Sequence, residues 1–284
     1  KPFDLAAIYK ELLVPYEPYL IYLKVLWHLY FSELEQENEE TDGITDLTQF
    51  QKHGVWRAKT ILEKYGGVLV SDGVGLGKTY TAGEIMFHYR ERRQRVLLVC
   101  PASLRDTAWR EFLNDWQLDV ESLSYEELAN DKQLGGNSQH LKNSLEDYAL
   151  VVIDEAHNYR NPNTPTRANV LRTIMQGKRR DLLLLTATPV NNSLWDLYHL
   201  LNYFIRSDAA LSDKGVIRIR KRFQEAMRED PSNIHPDLLY PIIDATTVKR
   251  TRKFIKKYYS SDKIYAPNGE LVSIKFPKPI ASTI

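Results

Sequence analysis

The stretch Val68-Leu-Val-Ser-Asp-Gly-Val-Gly-Leu-Gly-Lys-Thr79 decides the fold class of this chain. It begins as an apolar strand, continues as a glycine-rich turn and is followed from Tyr80 by a helical pattern. Glycines let backbone N–H groups approach a polyphosphate, and the new helix presents its positive end to the same group. Lys78 adds a mobile cation and Thr79 a hydroxyl that can bind Mg²⁺. The stretch predicts a phosphate-binding loop between strand and helix, and a chance Gly-Lys-Thr turn is the alternative.

Short apolar runs and amphipathic helices alternate on both sides of this loop. The expected strands are 68–71, 96–100, 121–124, 149–153 and 182–185. Alternation of nearly continuous apolar strands with helices indicates a parallel sheet that is covered on both faces. We therefore expect an α/β fold. After Pro189 no further strand is expected, and a helix over 194–204 behind a Ser193 cap is followed by helical sequence to about residue 259.

Composition excludes several classes of protein. Of the 284 residues, 43% are hydrophobic and 26% are charged, as in a folded globular protein. Lys and Arg number 38 against 37 Asp and Glu, so contact with nucleic acid has to come from local clusters. The single cysteine, Cys100, ends an apolar run, which predicts a buried inert thiol and excludes a disulfide framework. The longest apolar stretch, 19–31, is too short to span a bilayer, so we expect no membrane contact and a cytoplasmic location, nucleoid-associated in a bacterium.

A pair of adjacent carboxylates, Asp154 and Glu155, follows the apolar run Val151-Val-Ile. Ligands bind at the carboxyl edge of a parallel sheet, so Asp154 is expected to face the loop that carries Lys78 and Thr79. One carboxylate can hold Mg²⁺ through its water shell while the other polarises an attacking water. An isolated Asp-Glu pair on the surface is the alternative.

The ordered motifs resemble those of the N-terminal lobe of superfamily 2 helicases, and among them the SWI/SNF-type translocases of double-stranded DNA. The generic P-loop pattern requires glycine where this chain has Asp72, whereas that family has D-x-x-G-L-G-K-T. The resemblance implies a RecA-like P-loop NTPase lobe with ATP and Mg²⁺ as cofactors. It implies that Lys78, Asp154 and Glu155 are catalytic, with Glu155 as the general base, and that Thr79 and Asp154 hold the metal. The implied nucleotide-binding loop comprises Asp72, Gly73, Val74, Gly75, Leu76, Gly77, Lys78 and Thr79.

Other segments are similar to further motifs of this family. Gln51 stands where the family has a glutamine that reads adenine, with a surface glutamine as the alternative. The segment Val99-Cys-Pro-Ala-Ser-Leu-Arg-Asp-Thr-Ala-Trp109 resembles V-C-P-x-S-L-x-x-x-W, which implies DNA contacts by Pro101, Ala102 and Ser103. Ser103 is expected to cap a helix whose start suits a DNA phosphate, and a plain helix cap is the alternative.

Two more motifs complete the series. Ser124 and Tyr125 resemble an S/T-Y segment at the end of the next strand, which implies a nucleic-acid contact. His157, within the D-E-A-H box, is expected to make a contact inside the lobe and not to act as a catalytic acid. The segment Leu185-Thr-Ala-Thr-Pro-Val-Asn-Asn192 resembles the family's L-T-A-T-P-x-x-N motif, which links the ATP site to the DNA site. The linking residues are Thr186, Ala187 and Thr188.

The densest basic cluster is Val248-Lys-Arg-Thr-Arg-Lys-Phe-Ile-Lys-Lys257. It resembles the family's R-R-T-K segment at the exit from the first lobe, which implies phosphate contacts by Lys249, Arg250 and Arg252. A solvated helix face, with Phe254 and Ile255 packed below it, is the alternative.

These patterns divide the chain into three parts. Residues 1–46 are expected to be a helical segment with an acidic linker, and 47–204 a RecA-like lobe that forms the helicase ATP-binding domain. Residues 205–284 are expected to be a helical protrusion and a basic exit towards a second RecA-like lobe that these residues do not include. The family also implies, by analogy alone, that a nuclease or another domain lies upstream in some bacterial relatives.

The function expected from the resemblance is an ATPase motor that translocates on double-stranded DNA. An ATP-gated nucleic-acid-binding module without turnover is one alternative, although Lys78, Thr79, Asp154 and Glu155 are all intact. An RNA or DNA helicase of the same superfamily is the other, and the Asp72-type loop disfavours an RNA helicase.

Overall fold

The computed structural model describes residues 47–177, 179–228, 236–250, 255, 263–265 and 271–273. The expectations for 1–46 and for Arg252 lie outside these residues. Within the described ranges, no helix combines the length and the apolar character that crossing a bilayer requires.

A parallel sheet of six strands forms the centre of the molecule, in the order β3-β2-β4-β5-β1-β6. The α/β prediction is confirmed, and the five predicted strands agree with the observed ones to within one residue at each end. The strands are β1 (Gly67–Val70), β2 (Arg95–Cys100), β3 (Glu121–Ser124), β4 (Tyr148–Ile153), β5 (Asp181–Leu185) and β6 (Thr247–Val248), with a separate antiparallel pair formed by β7 (Lys263–Tyr265) and β8 (Leu271–Ser273).

Helices cover both faces of the sheet. Helix α3 runs over 102–115 as three consecutive segments, Ala102–Leu104, the π-helical turn Arg105–Trp109 and Arg110–Asp115. Helix α5 likewise joins a π-helical turn, Pro165–Asn169, to Val170–Met175. The remaining helices are α1 (Gln49–Tyr65), α2 (Lys78–Glu91), α4 (Tyr125–Ala129), α6 (Leu194–Leu201), α7 (Ile219–Arg228) and α8 (Tyr240–Thr246). Short 3₁₀ turns lie at Lys132–Leu134, Leu145–Asp147, Ala156–Tyr159, Ser212–Lys214 and Pro236–Leu238.

Successive strand residues enter two different cores. Leu97 and Val99 belong to the core shared with α5 to α8, whereas Leu98 and Cys100 belong to the core shared with α1 to α3. Because side chains alternate across a strand, a sheet that is apolar at every position buries both faces. Burial raises the pKa of the Cys100 thiol to about 12, which confirms the inert buried cysteine.

The expectation that strands end at Pro189 is wrong. Thr247 and Val248 form β6, which pairs in parallel with Leu69 and Val70 of β1 at the edge of the sheet. The sequence between them is helical in part, and the predicted Ser193 cap of α6 is confirmed by a bond from the Trp195 N–H to the Ser193 hydroxyl. The chain therefore leaves the sheet and returns to it, so that its basic segment starts beside the glycine-rich loop.

Candidate functional site

The loops that follow the strands gather at one edge of the sheet, because parallel strands all end on the same side. Four of the six segments predicted to carry function begin directly after a strand, the glycine-rich loop begins one residue after β1, and Ser124-Tyr125 straddles the end of β3. The segments are Asp72–Thr79 after β1, Pro101–Ser103 after β2, Ser124-Tyr125 at β3, Asp154-Glu155 after β4, Thr186–Thr188 after β5 and Lys249-Arg250 after β6.

The glycine-rich loop takes backbone conformations that need glycine at two positions. Gly75 has φ +76° and Gly77 has φ +79°, in the left-handed region that other residues rarely adopt. A Cβ at Gly77 would lie 2.3 Å from the Gln51 amide nitrogen, so the loop passes directly beside α1. Val74 at the tip is 69% exposed, whereas Leu76 is buried and fixes the loop to the core.

Lys78 is the first residue of α2 and points back into the loop. Its Nζ donates to the carbonyl oxygens of Asp72, at 3.1 Å, and of Gly73, at 3.4 Å. Thr79 follows in the first turn, where the free N–H groups and the helix dipole favour an anion. An ammonium group beside the N-terminus of a helix is an arrangement that favours binding of a polyphosphate.

A buried ion pair closes the base of the same loop. Asp72 is fully buried, and its Oδ1 accepts from the Arg250 backbone N–H at 2.7 Å. The Arg250 Nε lies 3.1 Å from both carboxylate oxygens, and its Nη2 also pairs with Asp72. The guanidinium further donates to the Phe50 carbonyl and fills the space beside Gly54 of α1. Arg250 thus joins the end of β6, the loop and α1.

The basic cluster does not form the exposed face that its composition predicts, at least at Lys249 and Arg250. These side chains are 8% and 5% exposed. Burial lowers the pKa of Lys249 to about 8, against the opposing effect of Asp72, and the nearby charge of Lys78 lowers this pKa further. The physical reason is the return of the chain to the sheet at β6, which turns both residues towards the glycine-rich loop. In this conformation neither side chain is available to a DNA phosphate.

Both oxygens of the Asp154 carboxylate have donors. Oδ1 accepts from the Glu155 backbone N–H at 2.8 Å, and Oδ2 accepts from the indole Nε1 of Trp109 at 2.8 Å. Burial raises the pKa of Asp154, and the Trp109 hydrogen bond opposes that rise. The carboxylate is therefore held in one orientation at the end of β4.

Glu155 has φ +48°, a left-handed conformation that is uncommon for a residue with a side chain. Its Oε2 lies 3.0 Å from His157 Nδ1, and this contact lowers the pKa of Glu155. His157 also lies 3.3 Å from the Thr186 hydroxyl, which in turn accepts from the Thr188 N–H at 3.2 Å. The prediction that His157 makes a contact within the lobe is confirmed, and the contact joins the loops after β4 and β5. Thr186 itself is buried, Ala187 is half-buried and Thr188 is exposed.

Only part of the predicted nucleic-acid surface is accessible. Ala102 and Ser103 are exposed and Pro101 is half-buried at the start of α3. The N-cap of this helix is Pro101, not Ser103, because the extended backbone ends at the proline and places Ser103 inside the first turn. Ser124 and Tyr125 are 3% and 4% exposed, so their predicted contact with nucleic acid does not fit this conformation.

The side chains of Ser124 and Tyr125 make hydrogen bonds inside the lobe instead. Ser124 caps α4 by accepting from the Glu127 N–H at 3.1 Å. The Tyr125 hydroxyl donates to the Asp154 carbonyl at 2.5 Å. Both residues are therefore structural neighbours of the carboxylate turn.

Gln51 lies beside the glycine-rich loop and also completes the start of α1. Its Oε1 accepts from the Thr48 N–H and hydroxyl, each at 3.0 Å. The amide oxygen is thus used in a helix cap, while the amide nitrogen faces Gly77. A hydrogen bond from adenine to Gln51 Oε1 would have to share or replace its bonds to Thr48. The position of Gln51 next to the loop is compatible with the predicted contact with adenine.

Residues 119–259 match the family profile of the SNF2-related domain. The chain matches this profile over just under half of its length. It is 31% identical over 163 residues to the mouse DNA annealing helicase and endonuclease ZRANB3, covering 51% of this chain and 15% of that protein. It is 28% identical over 193 residues to the uncharacterized ATP-dependent helicase YqhH of Bacillus subtilis, covering 64% of this chain and 32% of that protein.

A solved structure shows the same fold. The Sulfolobus solfataricus SWI2/SNF2 ATPase core in complex with double-stranded DNA superimposes with a TM-score of 0.55 at 20% identity. The match covers 76% of this chain and 47% of the archaeal one. The chain thus spans about half of that core and less of the curated relatives.

Proposed function

We propose that this chain is the ATP-binding lobe of a DNA-dependent ATPase that translocates on double-stranded DNA. One observation carries the proposal: the glycine-rich loop with Lys78 follows β1 and the carboxylate turn Asp154-Glu155 follows β4, so both lie at the same edge of the parallel sheet. A phosphate-binding cation and two carboxylates with different environments therefore meet at one edge of the sheet. That combination supplies the charge and the general base that phosphoryl transfer to water requires.

The residues fit ATP and Mg²⁺. Gly75 and Gly77 hold the loop backbone in left-handed conformations that other residues rarely adopt, and Lys78 can exchange its loop carbonyl partners for phosphate oxygens. Among the described residues, no group of three or more His, Cys, Asp or Glu could hold a metal ion alone. Mg²⁺ is usually bound by one or two protein oxygens together with substrate phosphates. We assign those oxygens to Thr79 and Asp154, and bound Mg²⁺ would neutralise charge that develops on the phosphates.

Glu155 is proposed as the general base. Its pKa is lowered by His157, so it is ionised and able to accept a proton from water at neutral pH. Gln51 is proposed to contact the adenine. Thr186, Ala187 and Thr188 are proposed to couple the ATP site to DNA, because Thr186 contacts His157.

Duplex DNA is the proposed partner. Among the similar proteins, ZRANB3 is described as a DNA annealing helicase and the archaeal ATPase core was solved with double-stranded DNA. In this chain Ala102 and Ser103 present an exposed helix start to a backbone phosphate. An ATP-gated binding module without turnover is the second candidate, and the intact Lys78, Asp154 and Glu155 favour turnover.

The same proposal includes the arrangement of the whole motor. The ATP-binding lobe begins at about residue 47 and includes the return of the chain to the sheet at β6, and a second RecA-like lobe faces the carboxyl edge. The chain covers 47% of the archaeal ATPase core, which leaves room for that second lobe. A cytoplasmic location, on the nucleoid in a bacterium, goes with a DNA partner.

The test is DNA-stimulated ATP hydrolysis by the full-length motor, which is this chain joined to its second lobe. Lys78→Ala removes the cation that faces the phosphates, so we expect ATP affinity to fall about 10–100-fold and stimulated turnover to disappear. Lys142→Ala is the matched control, because Lys142 is exposed in the loop that leads to the opposite edge of the sheet. ATP binding and turnover equal to those of the wild type in Lys78→Ala would refute the assignment of the loop.

A further inference from the structure

Trp109 of α3 is buried against the ATP site without belonging to it. It is 2% exposed, and its indole N–H is the donor that holds Asp154 Oδ2 at 2.8 Å. An indole has a single donor and no acceptor, so this hydrogen bond is the whole polar function of the side chain. Its effect is to fix the carboxylate that we assign to Mg²⁺.

The same helix begins at the surface proposed to contact DNA. Ala102 and Ser103, in its first turn, are exposed, and Trp109 lies at the end of the π-helical turn that follows. π-Helical turns are rare in proteins, and many of those that occur lie at functional sites. The extra residue in such a turn changes the direction of the side chains that follow. One continuous helical segment therefore joins the exposed first turn of α3 to the residue that donates to Asp154.

Aromatic contacts tie α3 to the helix that carries the phosphate-binding residues. The Trp109 ring packs edge-on against Phe112 with centroids 5.9 Å apart, and Phe112 packs edge-on against Tyr80 at 5.5 Å. Phe112 also occupies the space where Gly83 has no side chain. Since Tyr80 directly follows Thr79, α3 contacts both the metal-binding side and the phosphate-binding side of the site.

A second connection runs through α4. Arg105 of the π-helical turn forms an ion pair with Glu127, the residue whose carboxylate also accepts from the Ser124 N–H. Tyr125, next to Ser124, donates to the Asp154 carbonyl at 2.5 Å. The starts of α3 and α4 are thus linked to each other, and each sends one aromatic donor to Asp154.

We infer that Trp109 is a positioning residue that transmits contact of a DNA backbone phosphate at the start of α3 to the Asp154 carboxylate. This inference rests on the proposed function. In the absence of DNA the indole holds Asp154 near its working orientation, and DNA contact at Ala102 and Ser103 fixes that orientation. The rate of hydrolysis then depends on DNA in part through this hydrogen bond.

The first experiment uses Trp109→Phe in the full-length motor, which keeps an aromatic ring and removes the N–H. We expect the DNA-stimulated kcat for ATP hydrolysis to fall about tenfold and the basal rate to fall less than that, while the KM for ATP and the DNA affinity change less than about twofold. Trp116→Phe is the control, since Trp116 ends the same helix and packs against the same Phe112 at 6.1 Å. Unchanged stimulation, or an equal fall with and without DNA, would overturn the relay.

The second experiment observes the relay without turnover. In protein with ¹⁵N-labelled tryptophan, the indole N–H resonance that Trp109→Phe removes reports on the bond to Asp154. We expect duplex DNA to shift this resonance although the side chain is buried, and a resonance that stays in place overturns the inference. Lys78→Ala distinguishes failure of the relay from failure of the proposed function. If Lys78→Ala is inactive while Trp109→Phe behaves as wild type, only the relay fails. If Lys78→Ala is fully active, the proposed function fails with it.

Discussion

At the scale of single residues, Glu155 combines a strained backbone with a paired side chain. Its positive φ turns the carboxylate out of the line of β4 and towards His157, 3.0 Å away. Residues held in such conformations are found at functional sites, where the surrounding structure compensates for the strain. The two neighbouring carboxylates consequently differ: burial raises the pKa of Asp154, whereas His157 lowers the pKa of Glu155.

Glu155→Gln tests the proposed base. The amide has nearly the same shape and cannot accept a proton, so we expect turnover by the full-length motor to fall about 10²–10⁴-fold while ATP still binds. Steady-state hydrolysis and equilibrium binding of a fluorescent ATP analogue measure the two effects separately. Loss of nucleotide binding in this variant, or turnover like that of the wild type, would contradict the assignment.

At the scale of secondary-structure elements, the sequence predicts five of the six strands of the central sheet and misses the edge strand β6. Strands such as Tyr148–Ile153 are apolar throughout, and that pattern belongs to strands buried on both faces. β6 is not predicted because it has only two residues, Thr247 and Val248, and follows directly on α8. Such a strand carries no periodicity, and only its pairing with β1 defines it.

The site was predictable where a motif is local and not where a contact is distant. The chemical roles of the loop over 72–79 and of the turn Asp154-Glu155 can each be predicted from residues that are adjacent in the sequence. The bond between Arg250 and Asp72 joins residues 178 positions apart. The composition of the basic cluster predicts an exposed face and gives no sign of this distant partner. Trp109 stood in a recognised motif, yet nothing in the sequence showed that its N–H meets Asp154.

The Arg250 and Asp72 pair gives a prediction at this scale, because it fastens β6 and α1 to the glycine-rich loop. Arg250→Met leaves a carboxylate buried without its partner, so we expect the free energy of unfolding to fall by ~3–5 kcal/mol. Urea denaturation followed by circular dichroism measures this change. Arg90→Met, which breaks the partly exposed pair with Asp119, is the control and should cost less than about 1 kcal/mol.

The double variant Asp72→Leu with Arg250→Met completes this test. Removing both charges also removes the unpaired carboxylate, so most of the lost stability should return. A loss in Arg250→Met no larger than in Arg90→Met would show that the pair does not fasten the loop.

At the scale of the whole molecule, the carboxyl edge of the sheet gathers the residues that we propose to act on ATP. Lys78, Thr79, Asp154 and Glu155 lie along it, and β6 brings the chain back to the same edge at Lys249 and Arg250. Both cations are turned inwards, Arg250 to Asp72 and Lys249 towards the loop beside Lys78. Within the described residues, Lys78 is therefore the cation that the glycine-rich loop itself carries, and Lys249 is buried.

This arrangement predicts how activity depends on the second lobe. Phosphoryl transfer needs positive charge against the γ-phosphate in the transition state, and an arginine supplied from another domain is worth about 10³–10⁵ in turnover. We expect these 284 residues to bind Mg²⁺-ATP weakly to moderately and to hydrolyse it negligibly, with or without DNA. Extension through the proposed second lobe should produce hydrolysis that duplex DNA stimulates more than single-stranded DNA or RNA. Hydrolysis by the 284 residues alone that Glu155→Gln abolishes would come from the lobe itself and not from a contaminant, and it would place the complete catalytic machinery within this one lobe.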